Sequence, residues 1–397
     1  MTSSHGRRGL TVLSLGYTLE LWKDAAHAFG DPFQGLKGCH EHVSFLTILA
    51  HSSHRQALPP ISLADNFRAY PTNAYTPFDS WWRMFRLGLR IARETPIDLI
   101  QVREPLFNGS IGYVLSRRLR APLNVGVYGT NPFDSYWRRE SWFSRMAAPL
   151  ARRILRAADG IQVDGTATAR SLIEAGISPE RVAMRPDIPG NLSEFEVVEP
   201  DPELRARLLG AGRFERLVLF VGRVDAQKNV GLLLEVAARM AADHPAVRFI
   251  VVGDGWQRRR LEGEARARGL GDRVMWTGML PHRQVMSYMA TCDVFALCSR
   301  YEGFAIVSME AAMAGMPVVT TAVSGSDDGV VDGKTGFIVP IGDVEAFVNA
   351  LAELIRNPGR AADMGRRGRR HVQSLVARYG DPALQARIWE RVVSGRT

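Results

Sequence analysis

Short apolar runs alternate with longer amphipathic stretches along most of this chain. In the first half, the apolar runs predict strands at Leu10–Leu15, Val43–Ala50, Phe67–Tyr70, Asp98–Val102, Leu123–Val127, Gly160–Val163 and Val182–Met184. Helical periodicity between them predicts helices at Trp81–Glu94, Gly109–Arg120, Phe143–Ala158 and Ala167–Ala175. This alternation indicates an α/β fold with a parallel sheet covered on both faces, in which ligands bind beyond the carboxyl ends of the strands.

A second alternating series begins at Arg216. Its strands are predicted at Leu217–Val221, Arg248–Val252, Val274–Trp276, Val294–Leu297, Pro317–Thr320 and Phe337–Val339. Its helices are predicted at Val230–Ala242, Arg258–Arg268, His282–Ala290, Ala305–Ala314 and Val344–Ile355. Residues 186–215 are rich in Pro, Gly and acidic side chains, so we expect an interdomain linker there, followed by a short helix at Pro202–Leu209. A last helix is predicted at Pro382–Ser394.

The segment Ser299–Thr321 carries the strongest chemical signal. It predicts a loop, a short helix and the start of a buried strand, with Gly315 at the helix end and Pro317 after it. Two carboxylates, Glu302 and Glu310, are eight residues apart, which is roughly 12 Å if the whole stretch is helical. That distance is too long for one acid/base pair and suits two contacts on one long ligand. The first amides of the helix can hold anionic oxygens.

A second segment, Leu217–Lys228, places two cations after a strand. The strand runs into Gly222 and Arg223, and Lys228 follows five residues later. Two cations at a strand end are suited to holding a diphosphate, although the same residues taken alone fit solvated loop charges. No D-x-D sequence, the motif with which metal-dependent transferases hold a diphosphate, occurs in the chain. Two cations and a helix N-terminus would then take the place of a metal ion.

These segments resemble glycosyltransferase family 4. Glu302 and Glu310 match the E-x7-E pattern of retaining glycosyltransferases, within the sequence EGFAIVSMEAAMAGMPVV, and Gly222 to Lys228 is similar to the family's G-R-x4-K motif. The resemblance implies a GT-B architecture, in which two doubly wound, Rossmann-like domains face each other across a cleft. We place these domains at 1–185 and 216–381, and the resemblance implies that the terminal helix, 382–397, packs back on the first domain.

The resemblance also implies roles for individual residues. Arg223 and Lys228 would neutralise the departing nucleoside diphosphate, Glu302 would bind a hydroxyl of the donor sugar, and Glu310 would bind the ribose hydroxyls. Backbone groups near the nucleotide and the sugar would come from Gly222, Gly253, Gly278, Met279, Gly303, Phe304 and Ala305. Gly253 equally fits a tight strand–helix turn. We count Arg223, Lys228 and Glu302 as the catalytic group and expect no metal site.

The first domain departs from the family pattern. Relatives commonly carry a Gly-rich loop after the first strand, whereas Gly16 is the one glycine in Gly16-Tyr17-Thr18. Many place a His after the fifth strand, and this chain has Tyr128 there, which either points a hydroxyl into the cleft or packs as an aromatic. In the second domain, Ser324–Asp328 stands where relatives have G-G-x-x-E. His40, His42, His51 and His54 cluster in sequence, and we expect structural or acceptor-loop roles rather than a metal site.

The excess positive charge lies in the first half. Residues 1–185 contain 23 Lys and Arg against 15 Asp and Glu, and residues 78–156 contain 14 Arg against 6 acidic residues. Arg83, Arg86, Arg90 and Arg93 share one helix face, which fits either a core helix with a solvated face or a helix lying on an anionic membrane, the former being commoner. A second basic-aromatic patch comprises Trp137, Arg138, Arg139, Trp142 and Arg145. Nothing resembles a nucleic-acid-reading motif, and we expect no nucleic-acid partner.

Together these observations predict a retaining, metal-independent glycosyltransferase of polysaccharide, glycolipid or glycosylated-metabolite biosynthesis. It would use a nucleotide-diphosphate sugar, a UDP-sugar first, as donor and no cofactor, and its hydroxyl acceptor would be anionic or lipid-linked. The alternatives are a non-catalytic nucleotide-sugar-binding partner of an active transferase, or another GT-B enzyme such as a nucleotide-sugar epimerase. Three cysteines without a metal-like or redox pairing indicate a reduced, cytoplasmic protein, and residues 78–156 could contact the inner face of the membrane.

Overall fold

The computed structural model describes residues 9–17, 38–129, 131–134, 137–138, 141–186, 188–189, 192–210 and 212–395. The strands are β1 Thr11–Tyr17, β2 Phe45–Ala50, β3 Ile61–Ala64, β4 Phe67–Pro71, β5 Leu99–Val102, β6 Leu123–Val127, β7 Gly160–Val163, β8 Val182–Met184, β9 Arg216–Val221, β10 Val247–Val252, β11 Val274–Gly278, β12 Val294–Leu297, β13 Val318–Thr321 and β14 Gly336–Val339.

The α-helices are α1 Pro77–Glu94, α2 Phe107–Leu119, α3 Trp142–Ala157, α4 Thr166–Glu174, α5 Pro202–Leu209, α6 Val230–Asp243, α7 Arg258–Ala267, α8 His282–Thr291, α9 Ile306–Met313, α10 Ser326–Gly329, α11 Val344–Arg356, α12 Pro358–Tyr379 and α13 Pro382–Ser394. Short 3-10 helices occur at Cys39–His42, His54–Gln56, Pro179–Arg181 and Leu192–Glu196. The chain divides into two compact units, unit 1 with residues 1–189 and 379–397, and unit 2 with residues 190–378.

Unit 1 is built on an eight-stranded sheet in the order β3-β4-β2-β1-β5-β6-β7-β8. All its neighbouring strands are parallel except the β3–β4 pair, which is antiparallel. The central strands are buried throughout, because helices cover both faces of the sheet. The α/β expectation is thereby confirmed, and the strands predicted from apolar runs are present with ends shifted by no more than two residues.

The last helix, α13, belongs to unit 1. Trp389 is fully buried in a core with residues of β1, β2, β4 and β5, and its indole Nε1 donates to Gln101 Oε1 at 2.9 Å. Gln385 exchanges hydrogen bonds of 3.0 Å with Gln162 on β7. Buried polar side chains are stable when each finds a partner. The final helix therefore completes the core of the sheet formed by the first half of the chain.

Unit 2 contains a six-stranded parallel sheet in the order β11-β10-β9-β12-β13-β14. Part of the segment that we expected to be a linker is folded into this unit: Leu192, Phe195 and Leu204 are buried, and the Phe195 ring packs edge-on against His282 at 5.2 Å between ring centroids. Asp201 begins α5 by accepting backbone hydrogen bonds from Glu203 and Leu204.

β3, α10 and α12 were not predicted from the sequence. β3 is a short edge strand with half-exposed or exposed side chains, so it carries no apolar run. α12 contains Gly365 and Gly368, which weaken a helical pattern. A Cβ on Gly365 would lie 1.9 Å from the carbonyl oxygen of Gly315, so glycine here allows the helix to approach the turn after α9.

The three cysteines are buried free thiols. Burial raises the pKa of Cys39 to about 11 and raises the pKa of Cys292 and Cys298 further. They are core residues. Across the described ranges, no helix combines the length and the apolar content needed to cross a bilayer.

Candidate active site

The loops after β9 and β10 lie directly against each other at the carboxyl edge of the unit 2 sheet. Gly222 N donates to Val252 O at 3.0 Å, and Val224 N donates to Asp254 O at 2.9 Å. A Cβ on Gly253 would lie 1.9 Å from the Gly222 carbonyl oxygen, and Gly253 has a φ of +136°. Because only glycine tolerates both conditions, the sequence at this position fixes the path of the loop that carries Arg223 and Lys228.

Lys228 and Glu302 form the closest charged contact of this edge. Lys228 Nζ lies 2.6 Å from Glu302 Oε1, and their side chains are 15% and 8% exposed. The Ser299 hydroxyl donates to the same carboxylate oxygen. The structure therefore brings together two of the three residues predicted as catalytic, although 74 positions separate them in the chain.

The two loops that carry this ion pair are joined by further hydrogen bonds. Gln227 Nε2 donates to Tyr301 O at 3.2 Å, and Arg300 N donates to Gln227 O at 2.8 Å. The Thr321 hydroxyl, on β13, donates to Ser299 O at 2.6 Å. These contacts hold the carboxylate and the ammonium in position before any ligand arrives, which lowers the cost of ordering the site on binding.

Arg223 lies at the solvent side of the same loop. Its guanidinium donates to Gln227 Oε1 at 2.7 Å and pairs with Asp225 Oδ2 at 3.2 Å, with the Arg223 side chain 67% exposed. Asp225 also accepts the Lys228 backbone N–H at 2.9 Å. An exposed ion pair of this kind is weak, so the guanidinium can move to an anionic ligand at small cost.

Glu310 projects from α9 near the Lys228 ammonium. Burial raises the pKa of its carboxyl to about 7, and the charge of Lys228 opposes that rise. None of the side chains in the described segments donates a hydrogen bond to this carboxylate. A half-buried carboxylate that receives no hydrogen bond from a described side chain has capacity to accept hydrogen bonds from a ligand.

The segment Gly303-Phe304-Ala305 leads into α9. Ala305, the N-cap residue, is buried and provides no side-chain oxygen to the first amides of the helix. Gly325 has a φ of +77°, and a Cβ there would lie 3.0 Å from Gly303 O, so the loop before α10 packs closely under this segment. The start of α9 thus offers backbone amides next to Glu302. α10, Ser326–Gly329, overlaps the segment that stands where relatives have G-G-x-x-E.

Gly278 and Met279 lie at the carboxyl end of β11. Gly253 N donates to Gly278 O at 2.8 Å, so the ends of β10 and β11 are joined. Met279 is 75% exposed, and Trp256, three residues beyond Gly253, is exposed to the same extent. Neither side chain packs into the core, so both are free to contact a ligand that binds at this edge.

Two family models match this sequence. The model of glycosyl transferases group 1 matches residues 210–371, and the model of a glycosyl transferase 4-like domain matches residues 34–187. The 2-deoxystreptamine N-acetyl-D-glucosaminyltransferase of Streptomyces fradiae is 30% identical over 291 residues, which is 72% of this chain and 68% of that protein. The chain belongs to glycosyltransferase family 4. Its alignments with five curated relatives span between 47% and 71% of their lengths.

Solved structures support the GT-B fold of this glycosyltransferase. Sucrose-phosphate synthase from Thermosynechococcus elongatus superposes with a TM-score of 0.77 at 22% identity, covering 97% of this chain and 99% of that chain. Anabaena HepE in complex with UDP-glucose superposes with a TM-score of 0.67 at 19% identity, covering 97% of this chain and 98% of that chain. At these identities the likeness concerns the fold.

For Tyr128 of this glycosyltransferase, the sequence left two interpretations open. A Cβ on Gly126 would lie 2.4 Å from the Tyr128 ring. Arg103 Cζ lies over the same ring, 4.9 Å from its centroid, in a cation–π contact. The ring is therefore packed between a strand glycine and a guanidinium. Thr130, which follows it, lies outside the described residues.

Both ring nitrogens of His51 in unit 1 have side-chain hydrogen-bond partners. Its Nδ1 lies 2.8 Å from Ser80 Oγ and its Nε2 lies 2.7 Å from Asn108 Oδ1, and burial lowers the pKa of the imidazole. His40 stacks on Phe67, and His54 stacks on Tyr75. Within the part of the chain that the structure describes, no three His, Cys, Asp or Glu side chains converge to hold a metal ion.

Sequence analysis missed several residues of this site. Ser299 is a buried hydroxyl, Gln227 joins two loops, and Trp256 is exposed. The signal for Trp256 was its place directly after the Gly253-Asp254-Gly255 turn, where an apolar side chain has no core to enter. Neither Ser299 nor Gln227 carried a sequence signal, because their partners are distant in the chain.

Proposed function

We propose that this glycosyltransferase transfers a sugar from a UDP-sugar to a hydroxyl acceptor with retention of anomeric configuration and without a metal ion in catalysis. The observation that carries the proposal is the largely buried side-chain pair of Lys228 and Glu302. It is flanked by an exposed guanidinium at Arg223 and by the Glu310 carboxylate, which accepts no hydrogen bond from a described side chain. A sugar nucleotide is negatively charged at its diphosphate and carries hydroxyl groups on the sugar and on the ribose. Cations next to carboxylates that can accept hydrogen bonds from hydroxyl groups match this arrangement.

In the proposed complex, the donor diphosphate competes with Glu302 for the Lys228 ammonium, and Arg223 swings from Asp225 to the outer phosphate. Glu302, released from part of its ion pair, accepts a hydrogen bond from a sugar hydroxyl, and Glu310 accepts hydrogen bonds from the ribose. Charge that develops on the leaving diphosphate is then met by the Lys228 ammonium, by the repositioned Arg223 guanidinium and by the amides at the start of α9. One well-placed donor of this kind contributes about 3–4 kcal/mol to transition-state stabilisation.

Retention follows from attack on the face that the diphosphate leaves, with the acceptor hydroxyl giving its proton to the leaving phosphate. This route requires no protein nucleophile, and we assign none. A structural neighbour, Anabaena HepE, was solved in complex with UDP-glucose, which supports uridine as the first base to test. The absence of any D-x-D sequence supports charge neutralisation by Arg223 and Lys228.

The acceptor proposed for unit 1 is an anionic or lipid-linked hydroxyl compound. Residues 78–156 contain 14 Arg against 6 acidic residues, which raises the local concentration of anionic molecules. We place the reaction on the cytoplasmic side, with peripheral contact of this region at the inner face of the membrane. Acceptors that carry a phosphate should be used faster than neutral analogues, and added salt should reduce this preference.

The test is incubation of the full chain with UDP-glucose, UDP-N-acetylglucosamine, UDP-galactose, GDP-mannose and ADP-glucose, with and without EDTA. We expect nucleoside diphosphate release with a UDP-sugar, unchanged by EDTA, and an α-linked product by proton NMR. Loss of activity with EDTA would contradict the metal-independent route, and a β-linked product would contradict retention. Tight binding without hydrolysis or transfer to any acceptor would favour the non-catalytic partner.

A further inference from the structure

Helix α3 presents an apolar surface to solvent. Trp142, Phe143, Met146 and Leu150 are 75%, 65%, 62% and 50% exposed. Their spacing places all four on one side of the helix, opposite the side that buries Ser144, Ala148, Ala151, Ile154 and Leu155 in unit 1. We call these four residues the α3 apolar face. Scattered exposed apolar residues are ordinary, whereas four large ones on one helix face indicate a binding surface.

The surroundings of the α3 apolar face are strongly basic. α3 contains four arginines and no acidic residue, and Arg145, Arg153 and Arg156 are exposed. Among the described residues, no carboxylate forms an ion pair with these three guanidiniums. The neighbouring helix α2 has two arginines and no acidic residue. The face is therefore an apolar patch bordered by arginines that pair with no carboxylate of the described residues.

Helix α1 adds to the same chemistry. Phe78 and Trp82, in its first two turns, are 72% and 46% exposed. Behind them, Arg83, Arg86 and Arg90 line a surface groove of about 500 Å³ between α1 and the end of β4. α1 and α3 both pack against α2, and both begin at the carboxyl edge of the sheet, because each follows a parallel strand. Exposed aromatic residues thus gather at that edge.

We propose that the α3 apolar face is a membrane-docking surface, which inserts into the headgroup region of an anionic bilayer while Arg145, Arg153 and Arg156 contact lipid phosphates. Aromatic residues with basic neighbours on one helix face are the composition of interfacial helices. The bilayer supplies both an apolar phase for Met146 and Leu150 and negative charge for the arginines. The inference rests on the proposed function only for the location of the acceptor.

A second copy of this chain fits the α3 apolar face less well than an anionic bilayer does. A symmetric dimer would place the arginines of one face against those of the other, and like charges at an interface oppose association. Nucleic acid would satisfy the arginines and could stack on Trp142 and Phe143, but it offers no apolar phase to Met146 and Leu150. Both occupants are outcomes of the experiment below.

The experiment measures sedimentation of the full chain with vesicles of phosphatidylcholine alone and of phosphatidylcholine with about one third phosphatidylglycerol. We expect binding to the anionic vesicles only. Trp142→Ser with Phe143→Ser should weaken it by about tenfold or more, and Arg145→Gln with Arg153→Gln should weaken it and reduce its dependence on salt. The matched controls, Trp256→Ser and Arg266→Gln, remove an equally exposed tryptophan and an exposed arginine from unit 2 and should bind as the unmodified protein does.

A second measurement identifies the inserted side chain. Brominated lipids quench tryptophans that enter a bilayer, so quenching should be strong in the unmodified protein and much reduced in Trp142→Phe, which keeps the apolar face and should still bind. The proposal is overturned if the unmodified protein ignores anionic vesicles, or if the Trp142→Ser/Phe143→Ser variant binds them equally well. It is also overturned if that variant loses self-association or oligonucleotide binding instead. Donor hydrolysis without vesicles, measured in parallel, reports on the proposed reaction independently.

Discussion

Lys228 Nζ and Glu302 Oε1 are 2.6 Å apart, and the two side chains are largely buried. Removing the ammonium leaves a carboxylate in a poorly solvated site, so Lys228→Ala should lower the free energy of unfolding by about 3 kcal/mol as well as slow transfer about 10²–10³-fold. The double variant with Glu302→Gln should regain much of the stability, because no unpaired charge remains, and none of the activity. Denaturant unfolding and initial transfer rates separate these effects. Equal stability of Lys228→Ala and the double variant would contradict the pairing.

The carboxyl of Glu310 should make stability depend on pH. Its pKa is about 7 in the folded chain, against about 4.3 in an unfolded chain. The folded state therefore holds the proton more tightly, so this group's contribution is favourable below pH ~4 and is lost as pH rises through ~7. Glu310→Gln, which cannot ionise, should gain stability relative to the unmodified chain across that window, by on the order of 2–3 kcal/mol at pH ~8.

The measurement for Glu310 is denaturant unfolding from pH 5 to 8 of both proteins, with the difference plotted against pH. A difference that stays constant across this range would show that the carboxyl ionises normally. Saturating nucleotide should flatten the curve of the unmodified protein if ribose hydroxyls donate to the ionised carboxylate, because such bonds favour the charged form.

Gly253 should tolerate no side chain. A Cβ there would lie 1.9 Å from Gly222 O, so Gly253→Ala must push apart the loops of β9 and β10, at a cost of about 2–3 kcal/mol, and should weaken nucleoside diphosphate binding. Gly263→Ala is the control, since no atom lies within 4 Å of its added Cβ and α7 should gain about 0.5–1 kcal/mol. Unfolding and calorimetric titration with UDP test both. Unchanged UDP affinity in Gly253→Ala would separate this loop from the nucleotide site.

Trp256 should stack on the nucleobase of the donor. The side chain is 75% exposed beside the joined ends of β10 and β11, so Trp256→Ala should leave stability within about 0.5 kcal/mol of the unmodified protein. Loss of one aromatic–base contact should weaken UDP binding about tenfold. Trp142→Ala, which removes an equally exposed indole from unit 1, should bind UDP normally. Equal dissociation constants for all three proteins would remove Trp256 from the site.

Local sequence patterns predicted the helices and strands that carry the candidate site. The side-chain pairings within the site depend on contacts between residues that are distant in the chain. The loop, helix and strand at Ser299–Thr321 followed from apolar spacing and from Gly315 and Pro317. The partial burial of Glu310 agrees with the apolar residues on either side of it in the sequence. The pairing of Lys228 with Glu302 could not be predicted, because it depends on strands β9 and β12 lying side by side. α12 was missed for a related reason, since Gly365 serves a contact with Gly315 rather than helix propensity.

The basic helix face at Arg83, Arg86, Arg90 and Arg93 was weighed between two interpretations. α1 buries Met84, Gly88 and Ile91 in unit 1, so one side of the helix belongs to the core, while its outer side carries exposed aromatic residues as well as the arginines. The expected aromatic patch around Trp137 and Trp142 divides: Trp137 is buried and Trp142 is exposed, while Arg139 lies outside the described residues. Sequence periodicity identifies which side of a helix is apolar, but the neighbouring elements determine which apolar side chains remain in solvent.

Gln101 receives its hydrogen bond from Trp389, 288 positions later in the chain. A ribosome that has finished β5 must therefore translate all of unit 2 before the indole that covers this strand exists. Until then the nascent first half exposes the apolar surface that α13 will cover, and exposed surface of this kind favours aggregation. Deleting α13, which contributes no residue to the candidate site, should therefore still reduce the yield of folded protein.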